Sequence, residues 1–284
     1  MANKSHNLAI LCLLSLLFPL LAAGAKAGQG PAQRHMIAAA NPHAARAGRE
    51  ILRLGGSAVD AAIAAQMVLT VVEPQSSGIG GGAFLLHFKP GEPDKGIKPE
   101  VRAYDGRETT PMAATETMFL DADGKPMKFR PRVLGGTAVG VPGVVRLAEL
   151  VHRKHGKLPW VRLFADAIRL AEDGFDITPR LRKMIRRNKQ MPYFPVARKF
   201  FYTDDGKAKA VGTRLVNKEL AQVFRRIATQ GADAFYKGAI ARDIARAASR
   251  THHRPIAMTE ADLNSYRAKE RDILCGPYRK WRIC

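Results

Sequence analysis

Residues 76–82 constrain the fold more than any other part of the sequence, because four of these seven positions are glycine. The spacing Gly78-x-Gly80-x-x-Ala83 formally matches a relaxed dinucleotide-binding fingerprint. In that fingerprint a strand leads into the glycine turn and a helix follows, whereas here a helical pattern precedes the glycines and an apolar strand pattern follows them. The order argues against nucleotide binding. It predicts instead a close approach of backbones where the chain turns into a buried central strand at 83–88.

The two helical patterns before the glycines have clear start signals. Asn41 followed by proline is typical of a helix start, and the pattern predicts a helix over 42–54. Ser57 and Asp60 have the spacing of a capping box, which predicts a second helix over 57–72. Because this second helix is rich in alanine almost all round, we expect it to be buried against neighbours.

The rest of the chain alternates helix and strand patterns without an internal repeat or a low-complexity linker. Strands are predicted at 36–40, at 101–104 and on both sides of Gly276-Pro277. Helices are predicted at 160–172, 179–188, 218–229 and 233–249, with a further start at Thr259. These patterns predict one mature domain, 28–284, of the mixed α/β (α+β) class.

The first 27 residues have the features of an export signal. Lys4 precedes an apolar run over 8–21, and Ala25-Lys26-Ala27 fits the pattern that signal peptidase recognises. The run is shorter than the roughly 20 residues that a membrane-spanning helix needs. We therefore expect cleavage after Ala27 and a periplasmic or secreted protein without a stable membrane span. A retained membrane anchor is the alternative.

The formal net charge of +21 first suggests a polyanionic partner such as nucleic acid or anionic lipid. The densest cationic stretch is 178–199, which has no acidic residue. Its cations are Arg180, Arg182, Lys183, Arg186, Arg187, Lys189, Arg198 and Lys199. A charged helix face is usually solvated, and export removes the usual nucleic-acid partners. We therefore expect no nucleic-acid partner, and a basic binding module stays an alternative function.

The cysteines and histidines give no metal-binding pattern. Cys12 lies in the predicted export signal, while Cys275 and Cys284 could pair in an oxidising compartment, a pairing that the sequence alone leaves open. His252 and His253 have no third ligand at suitable spacing and are typical of a polar loop. The sequence predicts neither a metal ion nor an organic cofactor.

Other polar and aromatic candidates have structural explanations. His43 lies beside alanines on the first predicted helix, which is typical of a packing histidine. His152 and His155 stand among cationic residues and are interpreted as a solvated helix end. Trp160 is expected in the core or packed at the start of a helix.

Several segments together resemble the gamma-glutamyltransferase (gamma-glutamyltranspeptidase) family. The hallmark segment is 73–84, EPQSSGIGGGAF, and GGSAVDAA at 55–62 precedes it. Further similar segments follow in the same order at 104–111, 140–143, 155–160, 233–238 and 263–266. Each piece alone is weak, but the ordered set covers essentially all of the mature chain and is therefore specific.

The resemblance implies the Ntn-hydrolase fold, a four-layer αββα sandwich that would be incomplete here. It also implies a precursor that cleaves itself and so frees a threonine at the start of a small subunit. That threonine is the nucleophile, with its own α-amine as base. It attacks the γ-amide carbonyl of glutathione or another γ-glutamyl compound to form a γ-glutamyl-enzyme. Water, an amino acid or a peptide then accepts the γ-glutamyl group.

The resemblance places this threonine beyond Cys284, because family chains continue well past the corresponding point. We therefore expect a truncated large-subunit portion that is inactive without its small subunit. Thr109, Thr110 and Thr137 are not assigned the catalytic role. A strand pattern over 278–284 with nothing after it to cover it agrees with this expectation.

Arg107 is the one substrate-binding residue that the resemblance carries over. The family places an arginine here that holds the α-carboxylate of the γ-glutamyl group. A planar guanidinium can bind a carboxylate through two parallel charge-assisted hydrogen bonds, which fixes the distance to the reacting γ-carbonyl. The alternative is a surface arginine paired with Asp105 or Glu108.

Three alternatives to a γ-glutamyl enzyme stay open. The first is a related acylase of the same fold that acts on another side-chain amide, although Arg107 favours an α-amino-acid substrate. The second is the basic, non-catalytic binding module. The third is a natural non-catalytic product of this length.

Overall fold

The computed structural model describes residues 35–251 and 254–284, and residues 37–284 form one compact unit. The predicted export signal at 1–27 and the pair His252 and His253 lie outside the described residues. None of the helices that the structure describes is long and apolar enough to cross a membrane.

The first two helices, α1 (Pro42–Arg53) and α2 (Ala58–Val72), confirm the start signals in the sequence. The Asn41 side chain caps α1, and Ser57 and Asp60 form a complete capping box at the start of α2. Helix α2 is buried on almost all sides, as its alanine content predicts.

The later elements follow in alternating order. The further helices are α3 (Phe129–Arg132), α4 (Val144–His155), α5 (Ala165–Asp173), α6 (Pro179–Arg187), α7 (Pro195–Phe201), α8 (Lys218–Gln230), α9 (Asp233–Tyr236), α10 (Gly238–Ser249) and α11 (Glu260–Ser265). The strands are β1 (Ala83–Lys89), β2 (Glu100–Gly106), β3 (Phe175–Asp176), β4 (Arg214–Leu215), β5 (Lys269–Arg271), β6 (Gly276–Tyr278) and β7 (Trp281–Ile283). This mixture of helices and strands confirms the α+β class.

Three predicted elements differ from the structure. Residues 36–40 form no strand. The helix predicted at 160–172 begins with a 3-10 segment, Trp160–Phe164, before α5. The helix predicted at 233–249 is divided into α9 and α10, because Lys237 between them has extended backbone angles.

The main sheet is antiparallel and has the strand order β1-β2-β5. Strands β1 and β2 pair along their whole length, with Ala83 opposite Gly106 and Lys89 opposite Glu100. The prediction that residues 83–88 form a central strand is therefore wrong for the described sheet, in which β1 is an edge strand and β2 is central.

The two faces of the sheet have different surroundings. One face packs against α2 and α4, where Tyr104 is buried and Leu85 lines a cavity with residues of both helices. On the other face Phe84, Leu86 and Phe88 are between 62% and 71% exposed. The prediction of a buried strand is thus wrong for this face, because nothing in residues 35–251 and 254–284 covers it.

Strands β6 and β7 form a hairpin that a disulfide bond between Cys275 and Cys284 closes. The structure thus decides a pairing that the sequence left open. The predicted turn at Gly276-Pro277 is wrong, since both residues belong to β6. The chain reverses at 279–280, where Arg279 has a φ of 53°.

His155 links the end of α4 to the sheet rather than forming a solvated helix end. Its ring stacks on the ring of His87 with centroids 3.9 Å apart, and its Nε2 is hydrogen-bonded to the Tyr104 hydroxyl at 2.7 Å. Burial, followed by the nearby charges of His87 and Lys154, lowers the pKa of His155. His152 is also held, with Nε2 2.9 Å from the carbonyl oxygen of Leu158.

This cluster predicts a pH dependence of stability. The pKa of His155 is lower in the folded chain than in the unfolded chain. The contribution of His155 to the free energy of unfolding is therefore fully present above the unfolded-state pKa, and it is lost as the pH falls through the folded-state pKa. Lowering the pH from about 7.5 to about 5.5 should therefore lower the urea midpoint more for the unaltered chain than for His155→Gln, which keeps an acceptor for Tyr104. Equal losses in the two proteins would contradict this assignment.

Candidate active site around Arg107

Three segments and two tyrosines that are far apart in sequence meet at the end of strand β2. The segments are the glycine loop at 74–82, the turn at 105–109 and the stretch at 140–144, and the tyrosines are Tyr236 and Tyr266. All of them lie in or beside the segments that resemble the gamma-glutamyltransferase family. The structure thus brings most of the family-like segments to one place.

The glycine loop is joined to the segment before α4 by backbone hydrogen bonds. The carbonyl oxygen of Gly81 accepts hydrogen bonds from the amides of Gly143 and Val144 at 2.9 and 3.1 Å. A Cβ atom at Gly143 would overlap the Gly106 carbonyl oxygen and the Tyr266 hydroxyl. The close approach of backbones that the glycine content predicts is therefore present.

Hydrogen bonds from three sides hold the backbone that carries Arg107. Its amide donates to Oδ1 of Asp105 at 2.9 Å, and its carbonyl oxygen accepts a hydrogen bond from the Tyr266 hydroxyl at 2.8 Å. Two residues further, the Thr109 carbonyl accepts from the Val141 amide at 2.8 Å. The guanidinium of Arg107 therefore projects from a fixed backbone, as a substrate-orienting group requires.

The side chain of Arg107 is 65% exposed and faces a carboxylate of its own turn. Its Nη1 lies 2.8 Å from Oε2 of Glu108. The pairing with Glu108 that the sequence offered as the alternative is thus present, whereas Asp105 is engaged by Arg271 at 2.9 Å. Only the Arg107 side of this pair is exposed, because Oε2 of Glu108 is buried and has no hydrogen-bond partner among the described atoms apart from this contact. An incoming carboxylate therefore has to compete with Glu108 for the guanidinium.

Two clefts lie on either side of Glu108. A cleft of about 460 Å³ is bordered by the glycine loop, Gln66, Glu108 and Val144. A second cleft of about 250 Å³ is bordered by residues 107–111, 118–119 and 137–140. Arg107 lines the second cleft. Each cleft combines polar groups with space for a small ligand.

Burial and nearby charges shift the pKa values of the two side chains that hold the Arg107 backbone. Burial, with the nearby charges of Asp105 and Glu108, raises the pKa of Tyr266 to about 12. The amide of Arg107 and the guanidinium of Arg271 lower the pKa of Asp105. Tyr266 is thus a neutral hydrogen-bond donor and Asp105 a carboxylate near neutral pH, as the positions of their partners require.

The other residues that the sequence analysis considered for a functional role either line the second cleft or do not border the clefts beside Arg107. Thr109, Thr110 and Thr137 all border that cleft, and the buried Oγ1 of Thr137 has no hydrogen-bond partner among the described atoms. His43 contacts Arg46 on α1, and Trp160 donates from Nε1 to the Ile227 carbonyl at 2.9 Å. The described part of the chain contains no group of three or more His, Cys, Asp or Glu residues that could hold a metal ion.

Sequence reasoning missed the residue that anchors the glycine loop. Glu73 is only 2% exposed and accepts hydrogen bonds from the side chains of Asn41, at 2.8 Å, and Gln75. Arg180 approaches the same carboxylate, with Nε 3.4 Å from Oε2. An acidic residue between an apolar helix and a proline was the available signal, since such a residue needs buried partners.

The sequence profile of the family described as "Gamma-glutamyltranspeptidase" matches residues 44–284. The chain belongs to the gamma-glutamyltranspeptidase family. A curated relative in this family, the glutathione hydrolase proenzyme of Bacillus subtilis (strain 168), is 35% identical over 96% of the chain and 47% of its own length. The gamma-glutamyltranspeptidase of Helicobacter pylori has a similar structure, with a TM-score of 0.81, 31% identity, and coverage of 90% of this chain and 70% of that one.

A second solved structure that is similar to this chain is that of an enzyme with a different name. The cephalosporin acylase of Bacillus halodurans superposes with a TM-score of 0.72 and 30% identity, covering 90% of this chain and 48% of that one. The similarity to the Helicobacter pylori gamma-glutamyltranspeptidase structure confirms the expected Ntn-hydrolase fold. The chain spans about half the length of the curated relatives it matches.

Proposed function

We propose that this chain supplies the large-subunit portion of an exported γ-glutamyl acyltransferase and hydrolase. The substrates are glutathione and related γ-glutamyl compounds, and the acceptors are water, amino acids and peptides. The nucleophilic threonine belongs to a small subunit, which corresponds to the part of the relatives that this chain does not match. The chain without that subunit is inactive, and the mature protein is periplasmic or secreted.

The observation that carries the proposal is the convergence of the family-like segments on Arg107. Its backbone is fixed by Asp105 and Tyr266, while its guanidinium is exposed beside a cleft. The γ-glutamyl group has an α-carboxylate at one end and the reacting carbonyl at the other. Arg107 binds the carboxylate in place of Glu108 and so fixes the position of the carbonyl.

The exposed apolar face of the sheet favours the presence of a partner subunit. Phe84, Leu86 and Phe88 alternate along β1 and form an exposed apolar row. Such a row is stable in water only when another layer covers it, and a second sheet packs on a first at about 10 Å. We propose that the small subunit provides this layer and brings its threonine to the β1 side of the molecule.

The name of the Bacillus halodurans neighbour supports an acylase as the second candidate function. An acylase of that type need not recognise the α-amino group of a glutamyl donor, whereas a γ-glutamyl enzyme must. The two functions therefore differ in their use of γ-glutamyl and glutaryl para-nitroanilides, which share the terminal carboxylate and differ only in the amine.

The test uses the protein made from the complete reading frame that contains this chain, assayed with both anilides. We expect kcat/KM for the γ-glutamyl anilide to exceed that for the glutaryl anilide by at least about 100-fold, since two or more charge-assisted hydrogen bonds to the amine are absent from the latter. Equal rates, or faster turnover of the glutaryl compound, would favour the acylase and contradict the proposal.

A further inference from the structure

Helices α6 and α7 carry a concentrated positive charge that the Arg107 site does not use. We call residues 180–199 the basic segment; it contains most of α6, most of α7 and the 3-10 turn Met191–Tyr193 between them. Its eight cations are Arg180, Arg182, Lys183, Arg186, Arg187, Lys189, Arg198 and Lys199. The segment contains no acidic residue.

Only one of these eight cations has a carboxylate partner within 4.0 Å among the described residues. That cation is Arg180, which approaches Glu73. The undescribed residues contain no Asp or Glu, so they cannot supply another. Cations on other helices do find carboxylates one turn away, as Arg153 does with Glu149 at 3.0 Å and Arg246 does with Asp243 at 2.7 Å. Single cations elsewhere also lack such a partner, so what distinguishes the basic segment is that seven unpaired cations lie within the 18 residues 182–199.

Three of the five cations on α6 point away from the protein. Leu181 and Ile185 are each 1% exposed and anchor the helix. Lys183, Arg186 and Arg187 are all exposed, and their spacing places them on the opposite face. Like charges three and four residues apart destabilise a helix, and an external anion would relieve this repulsion.

The basic segment is also held in place and has exposed apolar groups among its cations. The Tyr202 hydroxyl, just after α7, donates to the carbonyl oxygens of Ile185 and Asn188 at 3.0 and 3.3 Å. Tyr193 is 75% exposed and Val196 is 84% exposed. A surface that combines clustered cations with an exposed aromatic and an exposed aliphatic side chain is typical of proteins that lie on a membrane interface.

We propose that the basic segment is a peripheral binding surface for an anionic lipid membrane. Its cations attract the lipid headgroups, and Tyr193 and Val196 enter the headgroup layer. Arg180 approaches Glu73 beside the glycine loop, but the other exposed cations of the segment line neither cleft beside Glu108, so the surface that they form is separate from the Arg107 site. A nucleic acid would use the same cations but would not require the burial of Val196.

The test measures sedimentation of the 284-residue chain with vesicles that contain about 30% phosphatidylglycerol in phosphatidylcholine, and with pure phosphatidylcholine vesicles, at about 0.1 M salt. We expect Lys183→Glu combined with Arg186→Glu and Arg187→Glu to lower the partition constant for the anionic vesicles at least about tenfold. The apolar run at 8–21 is common to all proteins compared, so its contribution cancels. Binding to the neutral vesicles should not change.

The matched control reverses three exposed cations elsewhere that also lack a carboxylate partner in the described structure: Arg49→Glu, Lys89→Glu and Lys98→Glu. It has the same net charge as the combined Lys183→Glu, Arg186→Glu and Arg187→Glu protein, which we call the α6 variant. We expect the partition constant of the control to stay within about threefold of that of the unaltered chain. Equal effects of the two variants would overturn the proposal. Urea midpoints for all three proteins check that each is folded.

A second variant separates lipid from nucleic acid. Tyr193→Ser with Val196→Ser should weaken binding to anionic vesicles at least about threefold and leave binding to duplex DNA unchanged. If this variant binds vesicles as the unaltered chain does, while the α6 variant loses DNA binding, the surface is one for nucleic acid and the membrane proposal is wrong.

Discussion

Replacement of Arg107 by glutamine is expected to lower kcat/KM for γ-glutamyl para-nitroanilide about 100- to 1,000-fold, mainly through a higher KM. The reason is the loss of the two charge-assisted hydrogen bonds that we propose Arg107 makes to the α-carboxylate, each contributing about 1.5–2 kcal/mol. The measurement is steady-state hydrolysis by the protein made from the complete reading frame. Arg107→Lys should recover only part of the loss, because an ammonium group cannot bind a carboxylate through two parallel bonds.

Arg102 provides the matched control for this experiment. It lies on the same strand β2, is half exposed and pairs with Glu100 and Glu270. Arg102→Gln removes the same charge without touching either cleft, so we expect kcat/KM to change by no more than about threefold. If the two variants lowered kcat/KM equally, the effect of Arg107 would be one of general charge and the proposed role would be wrong.

Asp60→Ala is expected to have the largest effect on stability, a decrease of about 3–5 kcal/mol in the free energy of unfolding. Asp60 is fully buried, and its Oδ2 accepts hydrogen bonds from the amides of Ser57, Lys157 and Leu158 at 2.8, 2.9 and 3.1 Å. It therefore caps α2 and holds the segment after α4 against it. Alanine would leave all three amides without this acceptor.

The measurement for Asp60 is urea unfolding of the chain, with Asp166→Ala as the control. Asp166 is also an aspartate in the first turn of a helix, but its side chain is 39% exposed and its one ion pair among the described residues is with Arg169. The control should lose less than about 1 kcal/mol. Similar urea midpoints for the two variants would show that the Asp60 hydrogen bonds do not hold the segment at 157–158.

The parts of the fold that could be predicted from the sequence are those that depend on interactions between residues close together in the chain. Asn41 and Ser57 start their helices because each side chain accepts a hydrogen bond from an amide two or three residues further along. The order of helix, glycine loop and strand, which argued against a nucleotide site, is also the order that the structure has. In the same way, Thr259 and Asp262 start α11 through a capping box.

The parts that could not be predicted depend on contacts between distant residues. Strand β1 has the apolar composition of a buried strand, but its burial depends on a layer that the described residues do not contain. His155 stands beside Lys154 in sequence, yet it packs on His87 and Tyr104 from two strands. No local pattern indicates such a pairing.

In the candidate site, too, local features could be predicted from the sequence and contacts between distant residues could not. The resemblance identified Arg107, and the chemistry of guanidinium explained why an arginine suits the role. The sequence could not show that Tyr266, 159 residues later, binds the Arg107 carbonyl, or that Gly143 has to be small for this contact to form. It offered Asp105 and Glu108 as partners, and only the structure separates them, because Arg271 of β5 takes Asp105.

The central claim is that Arg107 binds the α-carboxylate of a γ-glutamyl donor, and a second substrate tests it most directly. γ-Aminobutyryl para-nitroanilide keeps the amine and the reacting amide but lacks the α-carboxylate. We predict that Arg107→Gln, in the protein made from the complete reading frame, lowers kcat/KM about 100-fold or more for the γ-glutamyl anilide and less than about threefold for the γ-aminobutyryl anilide. Equal losses on both substrates would contradict the account, because Arg107 would then act on something other than the carboxylate.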